Sequence, residues 1–177
     1  MSREFFAALV KRFEKLEQEL NTLDAATGDG DHGSTMLRGL RAAAAAQEGA
    51  AKAFRRAAGG ASGSLFSLLI EALENVSGGD QNLGPGLAKA ASRITQMGQA
   101  KAGDKTMLDA LIPASENADT PAQAAAAAQK GFLATRPMAA RRGRARYVEG
   151  AGIGHLDPGA MSVAEILDEL TNTGGVG

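Results

Sequence analysis

Cysteine is absent from all 177 residues, so neither a disulfide framework nor a thiolate metal site is open to this chain. Tryptophan is absent too, tyrosine occurs once, and aromatics make up 4% of the sequence. Strands draw on aromatic and β-branched side chains. Their scarcity beside abundant alanine and leucine points to helix. With a formal net charge of -1 and a pI near 6.1, there is no overall field to draw the chain to nucleic acid or an anionic membrane. No apolar run approaches the roughly 20 residues that span a bilayer, and Met1-Ser2-Arg3-Glu4-Phe5 lacks the apolar core of a signal peptide. The expectation is a cytoplasmic protein with no membrane or nucleic-acid partner. The 44% apolar content is enough for one core at this length, so residues 1–177 are read as one domain.

The apolar positions Phe5, Phe6, Leu9, Val10, Phe13, Leu16, Leu20 and Leu23 recur at steps of three and four, which predicts one long amphipathic helix ending near Asp24. A glycine-rich loop runs to Gly33, and Ser34 is expected to open the next helix through Met36, Leu37 and Leu40. Gly59-Gly60 breaks the following helical stretch. Leu65, Phe66, Leu68, Leu69, Ile70 and Leu73 then form a helix apolar on most sides, as a buried one is. The turn residues of 78–86 mark an exposed connection before a helix to about Met97. Thr106 precedes another helix, and Thr120-Pro121-Ala122-Gln123 reads as a capping box with proline at the first helical position. That helix takes in the alanines 124–128 and is expected to run to the basic cluster 141–146. Asp157-Pro158 starts the last one, and the tail from Asn172 frays. Seven or eight amphipathic helices with short loops and no convincing strand predict an all-α antiparallel bundle or barrel.

Chemistry concentrates in the loops. Asp24, Asp29 and Asp31 sit at a helix end and in the loop beyond it, where Gly28, Gly30 and Gly33 let carboxylates converge. Like charges this close repel unless a cation intervenes, and hard oxygen ligands suit magnesium, which takes further oxygens from phosphates. Solvated turn aspartates capping the second helix are the plain alternative. Gly28-Asp29-Gly30-Asp31-His32-Gly33 satisfies the G-x-G-x-x-G dinucleotide pattern, but a helix rather than a strand precedes it. A calcium-loop reading fails because Gly33, Ser34 and Leu40 fall at its fifth, sixth and twelfth positions. Gly59-Gly60-Ala61-Ser62-Gly63-Ser64 before a helix is either a phosphate cradle or an ordinary capped helix start. Residues 98–106 nearly match a Walker A loop, but Asp104 is inserted before Lys105 and no strand precedes. That removes the phosphate-loop reading and leaves a surface position open to Lys105. His32 and His155 each lie near an acid, which allows zinc ligation, acid-base work or structural hydrogen bonding. Arg141, Arg142, Arg144 and Arg146 read as a solvated helix end or a phosphate clamp, since no aromatics interleave them.

Taken in order, Asp24 with Gly28-Asp29-Gly30-Asp31-His32-Gly33, Gly59-Gly60-Ala61-Ser62-Gly63, Gly103-Asp104-Lys105-Thr106-Met107-Leu108-Asp109, Gly143-Arg144-Ala145 and Gly154-His155-Leu156-Asp157-Pro158-Gly159-Ala160 resemble the L subunit of dihydroxyacetone kinases. The resemblance implies an antiparallel barrel of about eight helices that binds ADP or ATP through two magnesium ions at one end. It makes Asp24, Asp29 and Asp31 the metal ligands. His32, Gly33, Ser34 and Thr35 would lie along the nucleotide, Ala61 and Ser62 would meet phosphate, and Gly98 and Met107 would border the adenosine. Arg144, Asp157, Pro158 and Gly159 would close the site.

It further implies a kinase, with this chain supplying the phosphoryl donor and no catalytic base, while a separate K subunit holds a short-chain ketose. The nucleotide either exchanges as ATP or stays bound and is recharged by a phosphotransferase-system protein. A non-catalytic ADP-magnesium regulatory module uses the same site, and a metal-dependent phosphohydrolase is a third reading. The chain departs from the family at Arg146-Tyr147-Val148-Glu149-Gly150-Ala151-Gly152, where a serine and a second arginine are commonly found.

Overall fold

The structure, a computed structural model, describes residues 3–77 and 82–174. Among them are eight α-helices and no strand: α1 (Arg3–Ala25), α2 (His32–Ala45), α3 (Ala50–Ala58), α4 (Gly60–Ser77), α5 (Leu83–Gly98), α6 (Leu108–Glu116), α7 (Pro121–Ala134) and α8 (Pro158–Asn172). Each helix packs on the next, and α8 returns to pack on α1, which closes an all-α ring as expected. Helices joined by short loops pack antiparallel, so the ring alternates up and down. The starts of α2, α4, α6 and α8 therefore gather at one end with the finishes of α1, α3, α5 and α7.

The periodic apolar residues explain the packing. Phe5, Phe6, Leu9, Phe13 and Leu20 of α1 are buried, and in α4 burial is unbroken from Phe66 to Ile70, as its many-sided apolar character requires. Closure of the ring is reinforced at Arg12 of α1, whose guanidinium meets Glu165, Asp168 and Glu169 of α8, each at 2.7 Å. The alanines 124–128 are helical and bring α7 close to α6: a Cβ added at Gly131 would lie 2.1 Å from the Asp109 carbonyl oxygen. Thr120 caps α7 by accepting from the Gln123 amide at 3.2 Å, and Asp157 caps α8 by accepting from the Ala160 amide at 2.7 Å.

Two boundaries differ from expectation. The first turn of α2 begins at His32 with Asp31 in the cap position, because Ser34 is already engaged with α1. At the other, α7 stops at Ala134 rather than reaching the arginines: Pro137 lacks an amide donor and disfavours helical backbone at Arg136. The basic residues lie instead in a strap, residues 136–156, with one 3-10 turn at Arg144–Tyr147 and an irregular turn at Glu149–Gly152. Gly78, Gly79, Asp80 and Gln81 of the expected connection, and residues 175–177 of the tail, lie outside the described residues.

Gly131→Ala and Gly84→Ala should differ in their cost to stability. The first drives a Cβ into backbone and should cost about 1–3 kcal/mol. At Gly84 the nearest atom beyond its chain neighbours would be 3.4 Å away, and crowding of the new Cβ by the following Pro85 offsets the gain in helix propensity, so stability should stay within about 0.5 kcal/mol of wild type. Urea unfolding midpoints check both, and equal effects would refute the close α6–α7 crossing.

Candidate metal and nucleotide site

The end of the ring where four helices start carries the chemistry. Orphan amides and the helix dipoles give each start a partial positive charge, which favours anions. At the same end Asp24, Asp29 and Asp31 can each offer a carboxylate oxygen, all within 4.8 Å of one another. Among the described residues they are the one group of three or more histidines and acids placed to share a metal.

Asp24 organises the loop that brings them together. Its Oδ2 accepts from the amides of Gly30 at 2.9 Å, Asp31 at 3.0 Å and His32 at 3.3 Å. Its Oδ1 lies 2.4 Å from where a Cβ on Gly28 would stand, so only glycine fits beneath it. Asp29 and Asp31 are exposed at the rim. At Asp29 slight desolvation is outweighed by an ion pair with Arg144, which holds the carboxyl below its ordinary value. Desolvation and then the neighbouring Asp29 charge push Asp31 up. Crowded carboxylates behave this way when cations are too few.

Beside the trio lies a cavity of about 330 Å³. Its lining includes Asp24, Thr27 and Gly28 from the loop, Ala61 and Ser62 at the start of α4, and Gly98 at the end of α5. Met107, Pro158 and Gly159 stand across from these, with Leu65, Phe66 and Ile94 as an apolar wall. His32, Arg144 and Asp157 complete the expected set. Gly33, Ser34 and Thr35 are not brought to this cavity. A Cβ on Gly33 would lie 2.3 Å from the Glu17 carbonyl oxygen, Ser34 donates to Glu17 at 2.7 Å and accepts from Asn21 at 3.0 Å, and Thr35 accepts from Arg38 at 3.2 Å. Gly33 and Ser34 thus fasten α2 to α1, while Thr35 meets Arg38 of its own helix.

His32 is buried, its Nε2 is 2.9 Å from the Ser162 hydroxyl, and its ring packs near Phe66. His155 is exposed and contributes its backbone carbonyl rather than its ring.

Lys105 does not take the surface position left open to it. Only 3% exposed, it donates through Nζ to the carbonyls of Thr135 at 2.8 Å, Met138 at 3.2 Å and His155 at 2.5 Å. Asp109 was not singled out from sequence, yet it folds the same loop, accepting from Gly103 at 2.5 Å and Thr106 at 2.7 Å. Its signal was present: Thr106-Met107-Leu108-Asp109 has capping-box spacing. No spacing rule marked Lys105, whose acceptors come from distant loops.

Two titratable groups of the wall have opposed linkage. Burial holds the His32 imidazole down at about 4 against an ordinary 6.5, with Asp24 acting the other way. The unfolded chain therefore binds its proton first, and stability falls as pH drops from 6.5 toward 4. Burial pushes the Asp157 carboxyl from 3.8 up to about 7, so the folded chain keeps a proton that the unfolded chain has lost, and stability falls as pH rises across that window. Relative to wild type, His32→Gln should thus lose stability as pH rises between about 4 and 6.5, and Asp157→Asn should gain it. Chemical denaturation across this window checks the signs; parallel profiles for all three proteins would contradict them.

Comparison with known proteins agrees with this geometry. The chain is 36% identical to an L-erythrulose kinase of Pectobacterium atrosepticum over 86% of this chain and 31% of the relative, so it spans about a third of the length of the erythrulose kinases it matches. It is 34% identical to the ADP-binding subunit DhaL of a PEP-dependent dihydroxyacetone kinase of Listeria innocua, over 92% of this chain and 90% of the relative. The dihydroxyacetone kinase of C. freundii, solved in complex with AMP-PNP and Mg2+, superposes with a TM-score of 0.72 at 25% identity, over 97% of this chain and 33% of that one. Residues 26–172 match the DAK2 domain, and the chain belongs to that family.

Proposed function

We propose that this chain is the ADP/ATP- and magnesium-binding phosphotransfer subunit of a short-chain ketose kinase, one nucleotide-binding domain acting in the cytoplasm with a K-type subunit that holds the sugar. The observation that carries the reading is the carboxylate trio, within 4.8 Å, beside a cavity at the end where four helices start. Family membership and the kinase relatives support it, and the Listeria subunit, matched over nearly its whole length, favours a subunit role.

The residues fit the group they would hold. Asp24, Asp29 and Asp31 offer hard oxygens, and Asp24 is kept in place by its three amides. Magnesium, when bound as two ions, offsets charge on the phosphate oxygens. Ala61 and Ser62 line the cavity in the first turn of α4, where helix-start amides suit a phosphate, while Leu65, Phe66, Ile94 and Met107 offer an apolar wall for a base. Arg144 sits at the rim on Asp29, placed to add positive charge where a phosphoryl group leaves. Nothing here need remove a proton from the acceptor: His32 is committed to Ser162. Positioning and electrostatics are the chain's contribution, and the exposed Tyr147, Val148 and Ile153 of the strap leave an apolar face beside the rim for the partner.

Calorimetric titration of ADP with and without magnesium, on wild type and Asp29→Asn, tests the reading. Magnesium should tighten binding to wild type by roughly tenfold or more, and the variant should lose most of that gain. Equal, magnesium-independent binding by both proteins would overturn the assignment.

A further inference from the structure

Lys105 lines the cavity in a segment that nearly matches a phosphate loop, yet its ammonium cannot serve as a phosphate ligand. An ammonium has three donors, and all three are spent on the carbonyls of Thr135, Met138 and His155. Those acceptors bracket the strap: Thr135 follows α7, Met138 lies early in the strap, and His155 lies at its end, two residues before the Asp157 cap of α8. One buried cation therefore ties together both roots of a segment that is otherwise largely exposed.

Three further contacts converge on the same place. The Asp104 carbonyl accepts from the Arg141 amide at 3.1 Å, and inside the strap the Ala140 amide donates to Ala151 and the Gly154 amide to Arg136, each at 2.8 Å. Gly152 lies tight on Thr27 and beside the lysine stem: a Cβ there would stand 2.8 Å from Thr27 Cγ2 and at an ordinary contact distance of 3.4 Å from Lys105 Cε. Lys105 itself holds a left-handed backbone at φ 60, a conformation a non-glycine residue keeps only where its surroundings enforce it.

We propose that Lys105 is the positioning residue that pins the 136–156 strap, and with it Arg144, over the cavity. The frame of the metal loop is independent of this pin, because Asp24 draws its own support from the amides of Gly30, Asp31 and His32. Losing the pin should free Arg144 from Asp29 and open the cavity while Asp24 keeps its place.

The test compares Lys105→Met, which keeps the stem and removes the donors, with wild type and with Lys101→Met, an exposed lysine of the same loop. Three quantities are read: ADP affinity with magnesium, Mn2+ affinity without nucleotide, and the rate of tryptic cleavage after Arg141, Arg142, Arg144 and Arg146. Lys105→Met should weaken ADP binding by roughly tenfold to a hundredfold, as displaced positioning groups do, and speed strap cleavage by roughly tenfold or more, with Mn2+ affinity held or raised, since Asp29 loses its Arg144 partner. Lys101→Met should match wild type. Unchanged cleavage and ADP affinity in Lys105→Met, or loss of Mn2+ affinity in step with ADP, would overturn the proposal.

Should Lys105→Met fail to fold, Gly152→Ala decides, since it lifts the strap off Thr27 and the lysine stem while leaving the ammonium in place. Faster cleavage with weaker ADP binding supports the pin, and wild-type behaviour refutes it. The affinity arm rests on the nucleotide reading and the cleavage arm does not. Wild type that binds no ADP would sink that reading while cleavage still decides the role of Lys105.

Discussion

An antiparallel ring closed by an even number of helices has no choice about polarity: alternate helices must start at the same end. Here α2, α4, α6 and α8 start together, and that end gathers orphan amides and the positive ends of four dipoles. A positive end alone favours an anion. What makes this one selective is that Asp24, Asp29 and Asp31 stand in the same place, within 4.8 Å of one another. Carboxylates repel the phosphates that the dipoles attract, so a cation between the two is the arrangement that satisfies both. Arg144 takes part of that role on Asp29, while desolvation and then the neighbouring Asp29 charge push the Asp31 carboxyl up.

The site end also explains how polar groups are distributed in the loops. Several loops there are held by a side chain that saturates more than one backbone group, and Lys105 does so across separate stretches of chain. Asp24 takes three amides, Asp109 takes two, and Lys105 gives to three carbonyls. Buried backbone groups must be paired, and irregular segments have no ladder with which to pair them. Charged side chains do the pairing here, and Lys105 and Asp157 are close enough to feel each other's charge, which offsets part of the cost of burying either one.

Sequence made much of this legible, for reasons that can be named. Period-3.6 apolar spacing is local, so α1 was readable from Phe5 onward and α4 as a buried helix from Phe66 to Ile70. Caps are local too, which is why Thr120 and Asp157 were found with their prolines. The aspartate trio was visible because its members lie within eight positions of chain. What escaped was long-range. Ser34 looked like a helix opener, but Glu17 and Asn21, on a helix already formed, claim it. The arginines looked like the end of α7, although Pro137 in the same sequence rules that out. Gly33 looked like loop flexibility and is a close contact between α1 and α2.

Lys105 shows most sharply why a motif cannot be read by residue type alone. A Walker lysine and this one share a glycine-rich approach, a following threonine and a place beside a nucleotide-sized cavity. They differ in what accepts their protons. A phosphate-binding lysine must keep donors free in the unliganded protein. A lysine whose three donors already meet backbone carbonyls has exchanged that capacity for control of chain geometry. The inserted Asp104 is where the two diverge: its carboxylate folds back on the Lys101 amide at 3.0 Å, its carbonyl receives the strap at Arg141, and the next residue enters a left-handed turn that aims the lysine stem inward. The one-residue insertion that disqualified a phosphate loop is thus what makes the lysine a pin. On the proposed nucleotide reading, positive charge for the phosphates would then come from the helix starts, from Arg144, and from cations held by the three aspartates.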